Sequence, residues 1–131
     1  MKKILIIAIA FLSFQMILAQ DSTSVNIDAP KNYSMVDVKP EFPGGNDAFY
    51  KFIGKNYNMP NVKGLAGKVY TMFVIEIDGS IGDIKIMRDL GHGTGEEAIR
   101  VLKLCPQWKP GEFNGQKVRC SFALPISLQG N

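Results

Sequence analysis

Residues 69–87 read Val69-Tyr70-Thr71-Met72-Phe73-Val74-Ile75-Glu76-Ile77-Asp78-Gly79-Ser80-Ile81-Gly82-Asp83-Ile84-Lys85-Ile86-Met87. Val69 to Ile77 is rich in β-branched and aromatic side chains, which suit a pleated, half-buried surface. Ile81 to Met87 is a second run of the same kind. The Asp78-Gly79 pair between them is a hairpin signal, because a tight turn needs positive φ. An antiparallel hairpin is therefore the centre from which the rest of the chain is read.

Downstream, Leu90 to Gly93 is a glycine-rich connection. Thr94-Gly95-Glu96-Glu97 has the spacing of a capping box, in which the Thr94 hydroxyl meets the Glu97 amide and Glu97 reaches back. Ala98, Val101, Leu102 and Cys105 then form the apolar face of a helix that Pro106 ends. Trp108-Lys109-Pro110-Gly111 reads as a turn. Val118 to Leu124 reads as the last strand, with Val118, Cys120, Phe122 and Leu124 on one face. Upstream, Tyr33 to Val38 is a short extended segment that stops at Pro40. Glu41-Phe42-Pro43-Gly44-Gly45 is a turn cluster. Asn46 caps a first helix to about Tyr57, with Phe49, Phe52, Ile53 and Tyr57 on one face. Gly54 weakens it. The order is helix, hairpin, helix, strand. The expected fold is α+β, with two short helices packed on one face of a three-stranded antiparallel sheet.

The chain has 131 residues, enough for one modest core. With 46% hydrophobic and 21% charged residues it has an ordinary globular composition, not a disordered one. Met1-Lys2-Lys3, the apolar run Ile4 to Leu18 and the Ala19-Gln20 junction form the three-part pattern of a secretory signal peptide, with cleavage after Ala19. The run is shorter than the ~20 residues of a membrane-spanning helix, and an uncleaved inner-membrane anchor is the alternative. No cysteine follows it, which excludes a lipoprotein anchor. Removing Lys2 and Lys3 takes two from a formal charge of +3, so a non-specific nucleic-acid binder is not expected. Residues 20–33 read as a flexible polar leader and residues 34–131 as the domain. The expected location is the periplasm.

The usual enzyme constellations are missing. His92, the one histidine, sits in a glycine-rich loop with no ligand at metal spacing. Gly91-His92-Gly93-Thr94-Gly95 lacks the lysine and the spacing of a phosphate loop. No catalytic residue, metal, cofactor or small-molecule substrate is expected. Cys105 and Cys120 both fall at inward positions. They form either a disulfide, which an exported protein permits, or two buried thiols acting as small hydrophobes.

The stretch Val36 to Leu128 resembles the C-terminal domain of the TonB energy-transducing family. The resemblance rests on Pro40-Glu41-Phe42-Pro43-Gly44-Gly45, Gly67-Lys68-Val69, and Phe73 to Ser80 through the hairpin. It continues with Glu97-Ala98, Trp108-Lys109-Pro110-Gly111, and Val118-Arg119 through Leu124-Pro125-Ile126. It implies a module that binds outer-membrane TonB-dependent transporters, adding their short TonB box as a strand beside its own last strand. Two departures stand out: Met59-Pro60 replaces a frequent Tyr-Pro pair, and no Pro-rich linker is present. Residues 20–33 reach at most ~50 Å fully extended. A stand-alone exported binding module is therefore expected, in place of a complete transducer.

A last strand reached only through a long connection can lie at a sheet edge, where unpaired N–H and C=O groups recruit another strand. Val118, Arg119, Cys120, Ser121, Phe122, Ala123 and Leu124 are the candidate partner-binding residues. Arg119, Ser121 and Ala123 are expected on one face, with Cys120 and Phe122 on the other. Arg119 either attracts an acidic peptide or is a solvated surface charge. Tyr70, Met72, Val74 and Met87 fall on the sheet face away from the helices, which antiparallel sheets commonly leave polar. They form a second candidate interface, for a partner or a homodimer, unless the Tyr33–Val38 segment folds over them. An envelope structural protein that self-associates through the edge strand or this face is the alternative function.

Overall fold

The computed structural model describes residues 29–130. The signal peptide expected at 1–19, with its expected cleavage after Ala19, and the expected leader as far as residue 28 lie outside the described residues. The first helix, α1, is Asn46–Asn56, followed by the strands β2 at Ala66–Ile75 and β3 at Ile81–Arg88 and the second helix, α2, at Thr94–Lys103. Before them comes β1, Lys31–Asn32, and a single 3-10 turn at Tyr33–Met35. After them come β4 at Gly111–Phe113, β5 at Gln116–Val118 and β6 at Cys120–Gln129.

The main sheet has four strands in the order β1-β6-β2-β3, which corrects the expectation of three. β2 pairs antiparallel with both β3 and β6, while β1 lies parallel to the start of β6, so the sheet is mixed. The extra strand comes from residues that the sequence reading leaves in the leader. Its two residues are too short to show any period.

The hairpin forms at Asp78-Gly79. Glu76 and Gly79 close the turn through Glu76 N–H to Ser80 O (2.8 Å) and Gly79 N–H to Glu76 O (2.9 Å). The Asp78 carboxylate accepts from the Ser80 amide and hydroxyl, and these hydrogen bonds lower its pKa. β2 is displaced toward the N-terminus from the expected Val69–Ile77, and Ile77 stands exposed beyond it.

A ten-residue ladder joins β2 to β6, from Ala66 opposite Gln129 to Ile75 opposite Cys120. Because side chains alternate across a strand, its inward pairs are Val69/Ile126, Thr71/Leu124, Phe73/Phe122 and Ile75/Cys120. All but the half-buried Phe122 are buried. Thr71 satisfies its buried hydroxyl by donating to Leu124 O at 2.9 Å. Phe49 and Ile53 from α1 and Ala98, Val101 and Leu102 from α2 close the same core.

Two details of the helices differ from expectation. The capping box is not made: Gly93, at φ +77, precedes α2, and Thr94 is already helical. The Thr94 hydroxyl donates to Gly91 O at 2.7 Å and accepts from Leu90 N–H at 3.0 Å, which ties down the incoming loop. Glu97 instead pairs with Arg100 one turn on. α1 likewise begins one residue early: Asn46 is already helical and Gly45 takes the capping position.

Trp108 does more than mark a turn. It is buried, and its ring sits 4.7 Å from Phe49, 5.6 Å from Phe42, 5.8 Å from Phe122 and 6.2 Å from Phe73 between centroids. Its backbone N–H donates to Gly79 O at 2.7 Å. Next to it, Lys109 exchanges two backbone hydrogen bonds with Glu41, at 2.8 and 2.9 Å. The hairpin turn, the Pro40–Gly45 segment and the Trp108–Gly111 segment therefore converge on one aromatic centre.

Candidate functional site

The outer edge of β6 is built by the backbone. Arg119 O, just before β6, accepts from Lys31 N–H at 2.9 Å and so points away from β2. Strand geometry carries this parity forward: Ser121, Ala123, Pro125, Ser127 and Gln129 turn their backbone polar groups outward. Pro125, opposite Tyr70, agrees with it, since a proline in a sheet puts its missing N–H on the open side. Gly130 N–H, of the other parity, bonds inward to Leu65 O at 2.6 Å.

Only the start of this edge is covered. β1 pairs with Cys120 and Ser121, and the Ser121 hydroxyl donates to Lys31 O at 3.3 Å. Tyr33 then stands edge-on to Phe122 with centroids 5.0 Å apart. Lys39 Nζ holds the strap by donating to Tyr33 O at 2.6 Å. From Ala123 to Gln129 no described strand pairs with the outer side of β6.

The candidate residues fall as follows. Val118 is not in the edge strand: it ends β5 and pairs with Gly111. The β4–β5 hairpin turns at Asn114-Gly115, with φ values of +51 and +76. That Asn-Gly pair is a hairpin signal, and the turn folds Gln116–Val118 back onto β4, so Val118 belongs to this hairpin and not to the last strand. Arg119 is the link residue, and its side chain is engaged. Its Nε donates to Glu76 Oε2 at 2.7 Å, and its Nη2 donates to Glu76 Oε1 at 3.1 Å and Asp83 Oδ2 at 3.0 Å. It is thus neither a simple solvated charge nor an open anchor for an acidic peptide. Cys120 and Leu124 are buried, Ser121 and Phe122 half-buried, and Ala123 exposed. The expected end at Leu124 misses Pro125, Ser127 and Gln129. The alternation Leu124, Ile126, Leu128 was the signal for them, masked by a proline that usually ends a strand.

Of the second candidate group, Tyr70, Met72 and Met87 are 44%, 38% and 63% exposed on the outer sheet face. The Tyr33–Val38 segment therefore leaves them open. Val74 differs: it is buried, flanked by Ser121 and Gly82 in the two ladders, at the end of the sheet that carries the Arg119–Glu76–Asp83 network.

Cys105 and Cys120 are free thiols in the structure. Burial pushes the Cys105 pKa up to about 12 against a small opposing effect of the Trp108 indole, and burial raises that of Cys120. Protonated thiols are poor nucleophiles. The Trp108 indole N–H is buried and makes no hydrogen bond; the Cys105 sulfur, a weak acceptor, is the polar atom whose ionisation it affects. His92 is exposed at φ +56. Among the described residues, no three His, Cys, Asp or Glu side chains are grouped to hold a metal ion, and no helix is long and apolar enough to cross a membrane.

The sheet has a second edge, on β3, and the two edges differ. β3 carries two register shifts against β2, a left-handed Asp83 (φ +47), and the charges Asp83, Lys85 and Arg88. Bulges and charges are devices that keep edges from pairing with other chains. β6 has no register shift against β2 and no charged residue in ten.

No curated protein matches this chain. The solution structure of the TonB C-terminal domain of Helicobacter pylori is similar at 23% identity. It covers 68% of this chain and 89% of that one, with a TM-score of 0.40. The family model of the Gram-negative bacterial TonB protein C-terminal region matches residues 61–128, from the loop before β2 almost to the end of β6. The chain belongs to the TonB C-terminal domain family.

Proposed function

We propose that this domain acts in the periplasm on outer-membrane TonB-dependent transporters, capturing their extended TonB-box segment by adding it as a strand to the open edge of β6. The observation that carries this reading is the contrast between the two sheet edges. β3 is bulged and charged, whereas β6 offers an uncharged edge from Ala123 to Gln129. An edge left without protective devices is a template for another chain. Each backbone hydrogen bond contributes a net ~0.5–1.5 kcal/mol, while ordering each peptide residue costs ~1–2 kcal/mol. The two nearly cancel, so the grip is weak and reversible, and Pro125, which lacks a donor, weakens it further.

Titration with a synthetic TonB-box peptide tests this. The amide signals of Ala123, Ser127 and Gln129 should shift together while those of β3 stay in place. Unchanged β6 signals at millimolar peptide would rule the reading out. A second reading, self-association through the outer sheet face, is favoured by the exposure of Tyr70, Met72 and Met87. Light scattering across a wide concentration range separates the two: a monomer throughout counts against it.

A further inference from the structure

Gly54 lies inside α1, where a glycine is less stable than alanine because its backbone loses more freedom on folding. Nothing among the described residues accounts for it. A Cβ built at Gly54 meets no atom within 4 Å, and its backbone is in the ordinary helical region. Gly54 lies one turn after Tyr50 on the same side of α1. Together with Ile53 they form one wall of a groove of about 240 Å³, and β6 from Leu124 to Ser127 forms the other. The groove runs beside the stretch of β6 whose outer backbone groups have no strand partner. No charged side chain lines it.

A strand added to this edge alternates its side chains between the two sheet faces. The residues it sets beside Leu124 and Ile126 point to the face that carries the core and α1, because Leu124 and Ile126 do. We infer that the groove is a side-chain subsite of the captured strand, and that Gly54 keeps α1 clear for it. The occupant is an extended segment of a partner protein bearing one uncharged apolar side chain at this inward position. The uncharged lining selects against a charged residue there, since burying an unpaired charge is costly. This rests on the strand-addition reading and adds to it a subsite that the backbone ladder alone cannot supply.

The test uses two capped nine-residue peptides of alternating threonine and serine, one with a central leucine and one with a central glycine. On the wild-type protein the leucine peptide should bind at least tenfold more tightly, read from the shifts of Ala123 and Ser127. Gly54→Leu should erase that preference. Gly54→Ala should fold with an equal or higher Tm, because no described atom lies within 4 Å of the added methyl group. Binding of both peptides with no preference for leucine, or a preference that survives in Gly54→Leu, overturns the subsite and leaves strand addition standing. A Tm lowered in Gly54→Ala also overturns it, since the glycine would then serve the fold itself. No shift along β6 with either peptide overturns strand addition and the subsite together.

Discussion

Replacing Gly79 by alanine probes the point where the hairpin turn meets the aromatic centre. Gly79 has φ +87, and a Cβ there would lie 1.9 Å from Trp108 O. Backbone cannot rotate away as a side-chain tip does, so the turn and the Trp108 segment must separate. The left-handed conformation alone costs an L-residue ~1–2 kcal/mol. Separation also breaks the Trp108 N–H to Gly79 O bond and strains the Gly79 N–H to Glu76 O bond, each a net ~0.5–1.5 kcal/mol. Trp108 would also move against four rings. The expected loss is ~3–5 kcal/mol, a large share of the ~5–15 kcal/mol that holds a domain together. For a domain of this size that corresponds to a Tm lower by ~15–30 °C. Gly91→Ala is the control: Gly91 has φ +71 and open space around it, so only the conformational cost of ~1–2 kcal/mol applies. Urea unfolding followed by the fluorescence of Trp108, the one tryptophan, reads both. If Gly79→Ala loses no more than Gly91→Ala, the close approach of the two backbones is not what Gly79 serves.

Other outcomes follow from the same contacts. Lys31→Pro with Tyr33→Ala removes the β1 donor and the ring against Phe122, so the β6 edge lengthens and a TonB-box peptide should bind several-fold more tightly; unchanged or weaker binding would show that β1 does not compete. Cys105 and Tyr57 both have folded pKa values raised to about 12, chiefly by burial. Their protonated forms are favoured in the folded state, so stability is fully present below the unfolded values and should fall as pH rises from about 9 toward 12. Cys105→Ala should flatten that fall, and an identical alkaline profile would contradict it. Met72→Glu with Met87→Glu should alter stability by less than ~0.5 kcal/mol per site, since both side chains are exposed. Any oligomer that this pair dissolves would favour self-association through the outer face.

Much of the fold was legible because it is local. Asp78-Gly79 marks its own turn, and the period-3.6 faces of α1 and α2 mark theirs. The parts that escaped depend on distant partners. β1 has two residues and exists only because β6 offers an edge. The second half of β6 was lost to Pro125, which reads as a terminator but is tolerated because its missing N–H faces outward. The Thr94 hydroxyl matched a cap motif, yet the loop at Leu90 and Gly91 offered it better partners. Of the candidate site, the strand and its face alternation were readable from Cys120 to Leu124. The open stretch beyond, and the engagement of Arg119 by Glu76 and Asp83, required the register of three strands.

Intermolecular NOEs on labelled protein with an unlabelled TonB-box peptide test the central claim most directly. The account predicts contacts from the peptide backbone to the amides of Ala123, Ser127 and Gln129, in a regular strand register and with none to β3. Contacts to β3 or to the outer face at Tyr70 and Met87, with the β6 edge silent, would contradict it.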